Sequence, residues 1–159
     1  MRKHIRNWVL VADSARAHLF VPNEDETDLT ARELVGIPTA EASHFSRELA
    51  SDRPGRSNSS AGGGVRHAIE PHHDYHKQEK HNFVVQLADA VNRAFQAKDF
   101  DRLVLVVPPR TLGELRKCLS APVQACMEVV AKDLTKASIP TIWSDVAQIV
   151  RHRPVIPAP

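Results

Sequence analysis

Short apolar runs alternate with polar breaks at the N-terminal end of the chain. Residues 8–12 and 17–21 are β-prone and are separated by four residues, a spacing that predicts a β-hairpin. A third run, residues 31–37, stops at Pro38, which lacks the N–H needed for a strand ladder. These runs predict a meander of three antiparallel strands.

Further along, the apolar positions change to a helical period. Asp74 is a suitable N-cap and predicts the start of a long helix. Its apolar face comprises Phe83, Val84, Leu87, Ala88, Val91, Ala94 and Phe95. Residues 102–107 then form a short, continuous apolar run between aspartates and prolines, which predicts a buried strand. We expect Leu103, Leu105 and Val107 to meet Leu87 and Val91 at the centre of the core.

Three further elements complete the pattern. Thr111 and Glu114 have capping-box spacing, and predict a helix, or a helix pair broken near Ser120 and Pro122, over residues 111–129. Residues 130–134 predict a short edge strand, and residues 141–150 a last helix with one apolar side.

The order of elements predicts one α/β domain over residues 1–152. The meander is followed by helix, strand, helix, strand and helix, and short connections favour right-handed crossovers for the later strands. This succession resembles the ribonuclease H-like fold. The proline-rich tail, residues 153–159, is expected to have no fixed secondary structure.

Residues 38–73 show neither a strand nor a helix period, and are interpreted as a long functional loop. The loop contains the glycine triplet 62–64, and histidines recur between residues 67 and 81. Five basic residues between positions 53 and 80 outnumber three acidic ones, which favours contact with phosphates. A flexible, solvated linker is the alternative interpretation.

Composition restricts the function classes only broadly. The 159 residues are 42% hydrophobic and 25% charged, as in soluble globular proteins, and the net charge of +2 does not by itself indicate a nucleic-acid binder. The apolar run after the basic N-terminus is too short for a secretory signal, so we expect a cytoplasmic protein with no membrane partner. Cys118 and Cys126 are expected to be buried thiols, with a single disulfide left open.

The loop has residue types that occur in three kinds of binding or catalytic site. A phosphate-binding P-loop is disfavoured because no Gly-Lys-Ser/Thr ending follows the glycines. His72, His73 and His76 are the candidate metal ligands, but their spacing suits a single site poorly, so we predict no metal and no cofactor. A hydrolase triad of Ser59 or Ser60 with His67 and Asp74 is weaker still, since Gly-x-Ser-x-Gly is absent.

Four runs in order resemble the bacterial host-attachment protein family: NWVLVADSARAHLF, DRPGRSNSSAGGGVRHAIEP, FDRLVLVVPPRTLGELRKCL and KDLTK. Members of this family look like relatives of the middle domain of archaeal and eukaryotic release factors and of Pelota. The resemblance implies a ribonuclease H-like core in which a glycine-rich loop lies between the third strand and the first helix. Release factors carry Gly-Gly-Gln there, whereas Gly63 and Gly64 are followed by Val65, so the catalytic glutamine is absent, as it is in Pelota.

This resemblance leads to two hypotheses. The first is a translation-associated protein that binds the ribosome or tRNA without reading codons, with peptidyl-tRNA release or ribosome rescue as its activity. Arg53, Arg56 and Arg66 would bind phosphate, Gly62, Gly63 and Gly64 would allow close approach, and His67 would be the acid or base. The alternative is a non-enzymatic regulatory or interaction protein required for attachment to host cells.

Overall fold

The structure is a computed structural model that describes residues 4–37 and 65–152, with side chains from His76 onward in the second range. Three strands come first: β1 (Asn7–Ala12), β2 (Ala17–Pro22) and β3 (Leu29–Arg32). The second range contains helix α1 (Val65–Gln96), strand β4 (Arg102–Val106), helices α2 (Pro109–Cys118) and α3 (Ala121–Ala125), strand β5 (Met127–Val130) and helix α4 (Ile139–Arg151).

The strands form one mixed sheet in the order β3-β2-β1-β4-β5. β2 pairs antiparallel with both β1 and β3, so the predicted three-strand meander is confirmed. β4 pairs parallel with β1 and β5, and each of these parallel pairs is connected through helices. The described chain is therefore a mixed α/β structure with a five-stranded sheet and four helices.

Alternate residues of the central strands pack on opposite faces of the sheet. Leu10, Leu103 and Leu105 belong to the apolar cluster that includes α1 and α2, while Val104 and Val106 belong to the cluster that includes α4. Burial on both faces explains the continuous apolar run of β4. The five residues predicted for the centre of the core are 0–1% exposed, which confirms that prediction.

Helix α1 begins at Val65, not at Asp74 as predicted. Residues 65–73 are therefore helical, and the predicted loop is wrong over this part; residues 38–64 lie outside the described residues. Adding turns to an existing helix avoids the cost of nucleation, so a segment without an apolar period can extend a helix whose later turns are packed. Val84, Leu87 and Val91 pack in the core and stabilise these later turns.

Two strand predictions were correct in existence but wrong in position. β3 begins at Leu29 because the turn after β2 is tight: Asn23 Oδ1 accepts the amides of Thr27 and Asp28 at 2.8 and 3.1 Å, which brings Leu29 opposite Pro22. β5 ends at Val130 instead of beginning there. The preceding helix α3 has only five residues, so the chain returns to the sheet earlier than its apolar pattern suggests.

The capping box predicted at Thr111 is absent. The N-cap of α2 is Pro108 and the first helical residue is Pro109, whose fixed φ suits that position, so Thr111 lies buried inside the helix. The predicted break near Ser120 is confirmed. Asn92 of α1 holds this break, because its side chain donates to Cys118 O at 3.1 Å and accepts from Ser120 N at 2.9 Å.

The last helix is fixed at its carboxyl end by a buried arginine. Arg102, at the start of β4, donates to the carbonyl oxygens of Ile149 at 2.8 Å and His152 at 2.7 Å, and also pairs with Glu128 on β5. A cation is favourable at a helix carboxyl end, where unpaired carbonyl groups concentrate negative charge. The predicted last helix is confirmed, and the tail, residues 153–159, lies outside the described residues.

Candidate functional site

A cleft of about 1100 Å³ opens at the carboxyl ends of the parallel strands, and we call it the edge cleft. Asp13 directly follows β1, Pro108 follows β4, and Asp133 lies just beyond β5. Ser14 lies beside Asp13, and helices α1 and α2 contribute the other described lining residues. Crevices at the carboxyl ends of strands are the usual ligand sites of open α/β sheets.

Two aspartates of the edge cleft are held by backbone and hydroxyl groups. Asp13 Oδ1 accepts the amides of Ala15 and Arg16 at 2.7 Å each, which closes the turn between β1 and β2. The hydroxyl of buried Thr135 lies 3.3 Å from Asp13 Oδ2 and 2.8 Å from Asp133 Oδ1, and can donate to one of them at a time. Thr135 therefore lies between the two carboxylates and can bond to either of them.

Cationic side chains approach the edge cleft from the two helices. Lys77 and Lys80 lie on α1 and Arg110 lies on α2; all three are exposed. Within residues 4–37 and the side chains described from 76 to 152, none of these three forms an ion pair. Their charges are therefore available to an anionic ligand. His76 also lines the cleft, with Nδ1 3.8 Å from Glu79 Oε2.

The N-terminus of α2 presents free donors to the same space. Pro108 and Pro109 carry no N–H, and the first intrahelical bond runs from Leu112 N to Pro108 O at 3.0 Å. In the described part of the chain, the amides of Arg110 and Thr111 have no acceptor. The first turn of α2 has no acidic residue and its N-cap has no side-chain hydrogen bond. Such a helix N-terminus favours an anion.

Most of the residues predicted for the site cannot be placed in it. Arg53, Arg56 and the glycines 62–64 lie outside the described residues. Arg66, His67, His72 and His73 belong to the first turns of α1, but their side chains are outside the described part. Their roles stay predictions. Among the side chains that the structure does describe, no group of three or more His, Cys, Asp or Glu residues could hold a metal.

Apart from His76, the residues that form the edge cleft were not among the predicted site residues. Asp13, Arg110 and Asp133 each follow a strand of the parallel part of the sheet, and polar residues in that position are a signal that could have been read. Thr111 was assigned to capping instead. Thr135 carried no such signal, because its role depends on a contact with Asp13 across the fold.

Burial shifts the pKa values of two titratable groups near the core. Burial lowers the pKa of His18 on β2, and the nearby negative charge of Asp13 opposes this effect in part. Burial raises the pKa of the Cys126 thiol, although backbone hydrogen bonds oppose the shift. Cys118 and Cys126 are both free and half-buried, which agrees with the expected thiols and shows no disulfide between them.

Comparison with known proteins identifies the family. Within the described residues, no helix is long and apolar enough to cross a membrane. The chain has no match among curated proteins. Residues 8–146 match the family model described as "Protein required for attachment to host cells". This match runs from β1 into α4 and so includes all five strands. The chain therefore belongs to the host-attachment protein family, as its sequence motifs indicated.

Proposed function

We propose that this chain is a non-enzymatic interaction or regulatory protein on which attachment to host cells depends, and that it works through the edge cleft. The family match carries the proposal, because it covers the whole sheet and its helices and not an isolated motif. Because the match spans residues 8–146, we assign the function to the folded domain and not to a single motif. Within the residues that the structure describes, free charges and free hydrogen-bond donors lie together at the edge cleft.

The arrangement of the cleft suits binding. Asp13 is engaged by two turn amides and by Thr135, so this carboxylate is held in place. Arg110 and the two lysines have no competing ion pair in the described part of the chain. Fixed acceptors next to free cations provide directional contacts to a ligand that carries both an anionic group and hydrogen-bond donors.

Deletion of the gene in its source organism tests the attachment role. Bacteria bound per host cell would be counted for the wild type, for the deletion strain, and for that strain complemented with the wild-type chain. We expect attachment to fall on deletion and to return on complementation, with equal growth in all three strains. Attachment that is unchanged by the deletion would contradict the proposal.

A second candidate is a translation-associated RNA-binding role in the cytoplasm, with ribosome rescue or peptidyl-tRNA release as its activity. It is favoured by the start of α1 at Val65, directly after Gly64, since the glycine triplet then immediately precedes a helix N-terminus. A meander followed by two parallel strands is also compatible with the ribonuclease H-like, release-factor-like topology that the resemblance implies. In this proposal Arg53, Arg56 and Arg66 bind phosphates and His67 transfers a proton.

Co-sedimentation with ribosomes separates the second candidate from the first. The wild-type chain should co-migrate with ribosomes at low salt and dissociate as salt rises. Alanine at Arg53, Arg56 and Arg66 should weaken binding and flatten the salt dependence by about one unit of log–log slope for each lost phosphate contact.

The matched control removes three exposed cations elsewhere, at Arg32, Arg116 and Lys117. This control should retain both affinity and salt dependence. Absence of co-sedimentation at low salt would exclude the translation role. An equal loss of ribosome affinity in the control variant would exclude Arg53, Arg56 and Arg66 as the phosphate-binding residues.

A further inference from the structure

The edge cleft contains a buried polar side chain without a partner. Thr111 is only 6% exposed, and its hydroxyl forms no hydrogen bond in the part of the chain that the structure describes. A helical threonine commonly donates to a carbonyl one turn earlier, and here that bond is absent. In the described part of the chain Asn7 Oδ1 is the fully buried side-chain atom without a partner, so the Thr111 hydroxyl keeps some access to the cleft and is free to bond to a ligand there. Thr111 lines the edge cleft, so such a ligand would lie there.

The groups around Thr111 define the chemistry of this ligand. The free amides of Arg110 and Thr111 are adjacent in the first turn of α2, and no acidic residue is present in that turn. The guanidinium of Arg110 and the ammonium groups of Lys77 and Lys80 line the same cleft. Two amides, a hydroxyl and three cations are the donors that a phosphate group accepts from.

The carboxylates limit what else the ligand can be. Asp13, Glu114 and Asp133 line the cleft together with the cations. They would repel a run of consecutive phosphodiesters, but would accept hydrogen bonds from hydroxyl or amino groups. A ligand with one phosphate at one end and hydrogen-bond donors at the other satisfies both sets of groups.

We propose that the edge cleft binds a small phosphate monoester that also carries hydroxyl or amino groups, as a mononucleotide or a sugar phosphate does. The phosphate lies at the N-terminus of α2, where it accepts from the amides of Arg110 and Thr111 and from the Thr111 hydroxyl. The guanidinium of Arg110 neutralises it, with Lys77 and Lys80 alongside. This inference rests on the proposed function, because it takes the edge cleft as the site through which the protein acts. It adds the class of ligand that would bind there and regulate the protein.

Titration of the isotopically labelled full chain tests this site. The probes are AMP, glucose 6-phosphate, inorganic phosphate and adenosine, followed by amide NMR and calorimetry. We expect AMP or glucose 6-phosphate to shift the amide signals of Arg110 and Thr111 and to bind more tightly than inorganic phosphate. Adenosine, which lacks the phosphate, should leave both amides unmoved. The stronger of the two monoesters identifies whether the source is a nucleotide or a sugar.

Two variants and one control test the individual donors. Arg110→Ala should weaken binding of the preferred monoester by about tenfold or more, the effect of one charge-assisted hydrogen bond. Thr111→Val keeps the shape of the buried side chain and should weaken it by a factor of about 3 to 10. Arg116→Ala removes the same charge from the far end of α2, where it does not line the cleft, and should leave affinity unchanged.

Several results would overturn the proposal. They are an absence of shifts at Arg110 and Thr111 with every phosphorylated probe, equal responses to AMP and adenosine, or equal losses in Arg110→Ala and Arg116→Ala. Tighter binding of an RNA oligonucleotide without terminal phosphates than of either monoester would also overturn it. The NMR result on the wild-type chain does not depend on any variant. If no phosphate monoester binds, the deletion strain can still show an attachment defect. The two proposals can therefore fail separately.

Discussion

The hydroxyl of Thr135 lies 3.3 Å from Oδ2 of Asp13, a residue 122 positions earlier in the chain. Asp13 follows β1 and Thr135 lies beyond β5, and β4 separates these two strands in the sheet. The contact therefore joins two loops across the end of the central strand. The same hydroxyl lies 2.8 Å from Asp133 Oδ1, so Thr135 can donate to either carboxylate at this side of the edge cleft.

Thr135→Val should destabilise the protein by about 1 kcal/mol, since the hydroxyl is buried and the hydrogen bond that it donates to Asp133 or Asp13 is lost while the shape is kept. Urea unfolding measures the change in free energy. Thr30→Val is the control, because Thr30 is exposed on β3. An equal change in both variants would show that the buried hydroxyl has no energetic role.

Arg102→Met should cost about 3 kcal/mol in the free energy of unfolding, because the substitution removes the bonds to Ile149 and His152 and leaves Glu128 without its cation. Glu128→Gln should cost less, about 1 kcal/mol or below, since the Glu128 side chain is 44% exposed. Chemical denaturation of both variants checks this order. A larger loss for Glu128→Gln would contradict the assignment of Arg102 as the group that fixes α4.

Leu105→Ala should cost about 2 to 5 kcal/mol, the range for truncation of a fully buried leucine. Val35→Ala is the control, because Val35 is 90% exposed and should change stability by no more than about 0.5 kcal/mol. Thermal and urea unfolding report both values. A loss near zero at Leu105 would remove β4 from the centre of the core.

His18 should make stability depend on pH. Burial lowers the pKa of His18 in the folded protein, so the unfolded chain binds the proton more tightly. The contribution of His18 is therefore fully present above the unfolded pKa, about 6.5, and is lost as pH falls below it. The free energy of unfolding of wild type and His18→Gln, measured from pH 8 to 5, checks this, with pH values chosen to bracket about 6.5. Identical pH slopes in the two proteins would disprove the effect.

The sheet and its core could be predicted from the sequence because their signals are local. The apolar runs of β1, β2 and β4 reflect burial of these strands in the sheet, and the strands lie where the pattern placed them. The start of α1 at Val65 could not be read in this way. Its first turns add no apolar face, and their formation depends on the packed turns that follow.

The candidate site was less predictable than the core. Its residues come from the ends of three strands and from two helices, and only the parallel pairing of β1, β4 and β5 brings those ends together. The predicted helix from Asp74 included Lys77 and Lys80, but nothing in its sequence indicated that this end of the helix lies at the ends of the strands. The free amides of α2 depend on Pro108 being the N-cap, which the Thr111–Glu114 spacing concealed.

Complementation of the deletion strain with edge-cleft variants tests the central claim most directly. The deletion strain would carry Arg110→Ala or Arg116→Ala, expressed at equal levels, and bacteria attached per host cell would be counted. Both substitutions remove one exposed arginine from α2, but only Arg110 lines the edge cleft. The account predicts that Arg116→Ala restores attachment and Arg110→Ala does not. Full restoration of attachment by Arg110→Ala would contradict it.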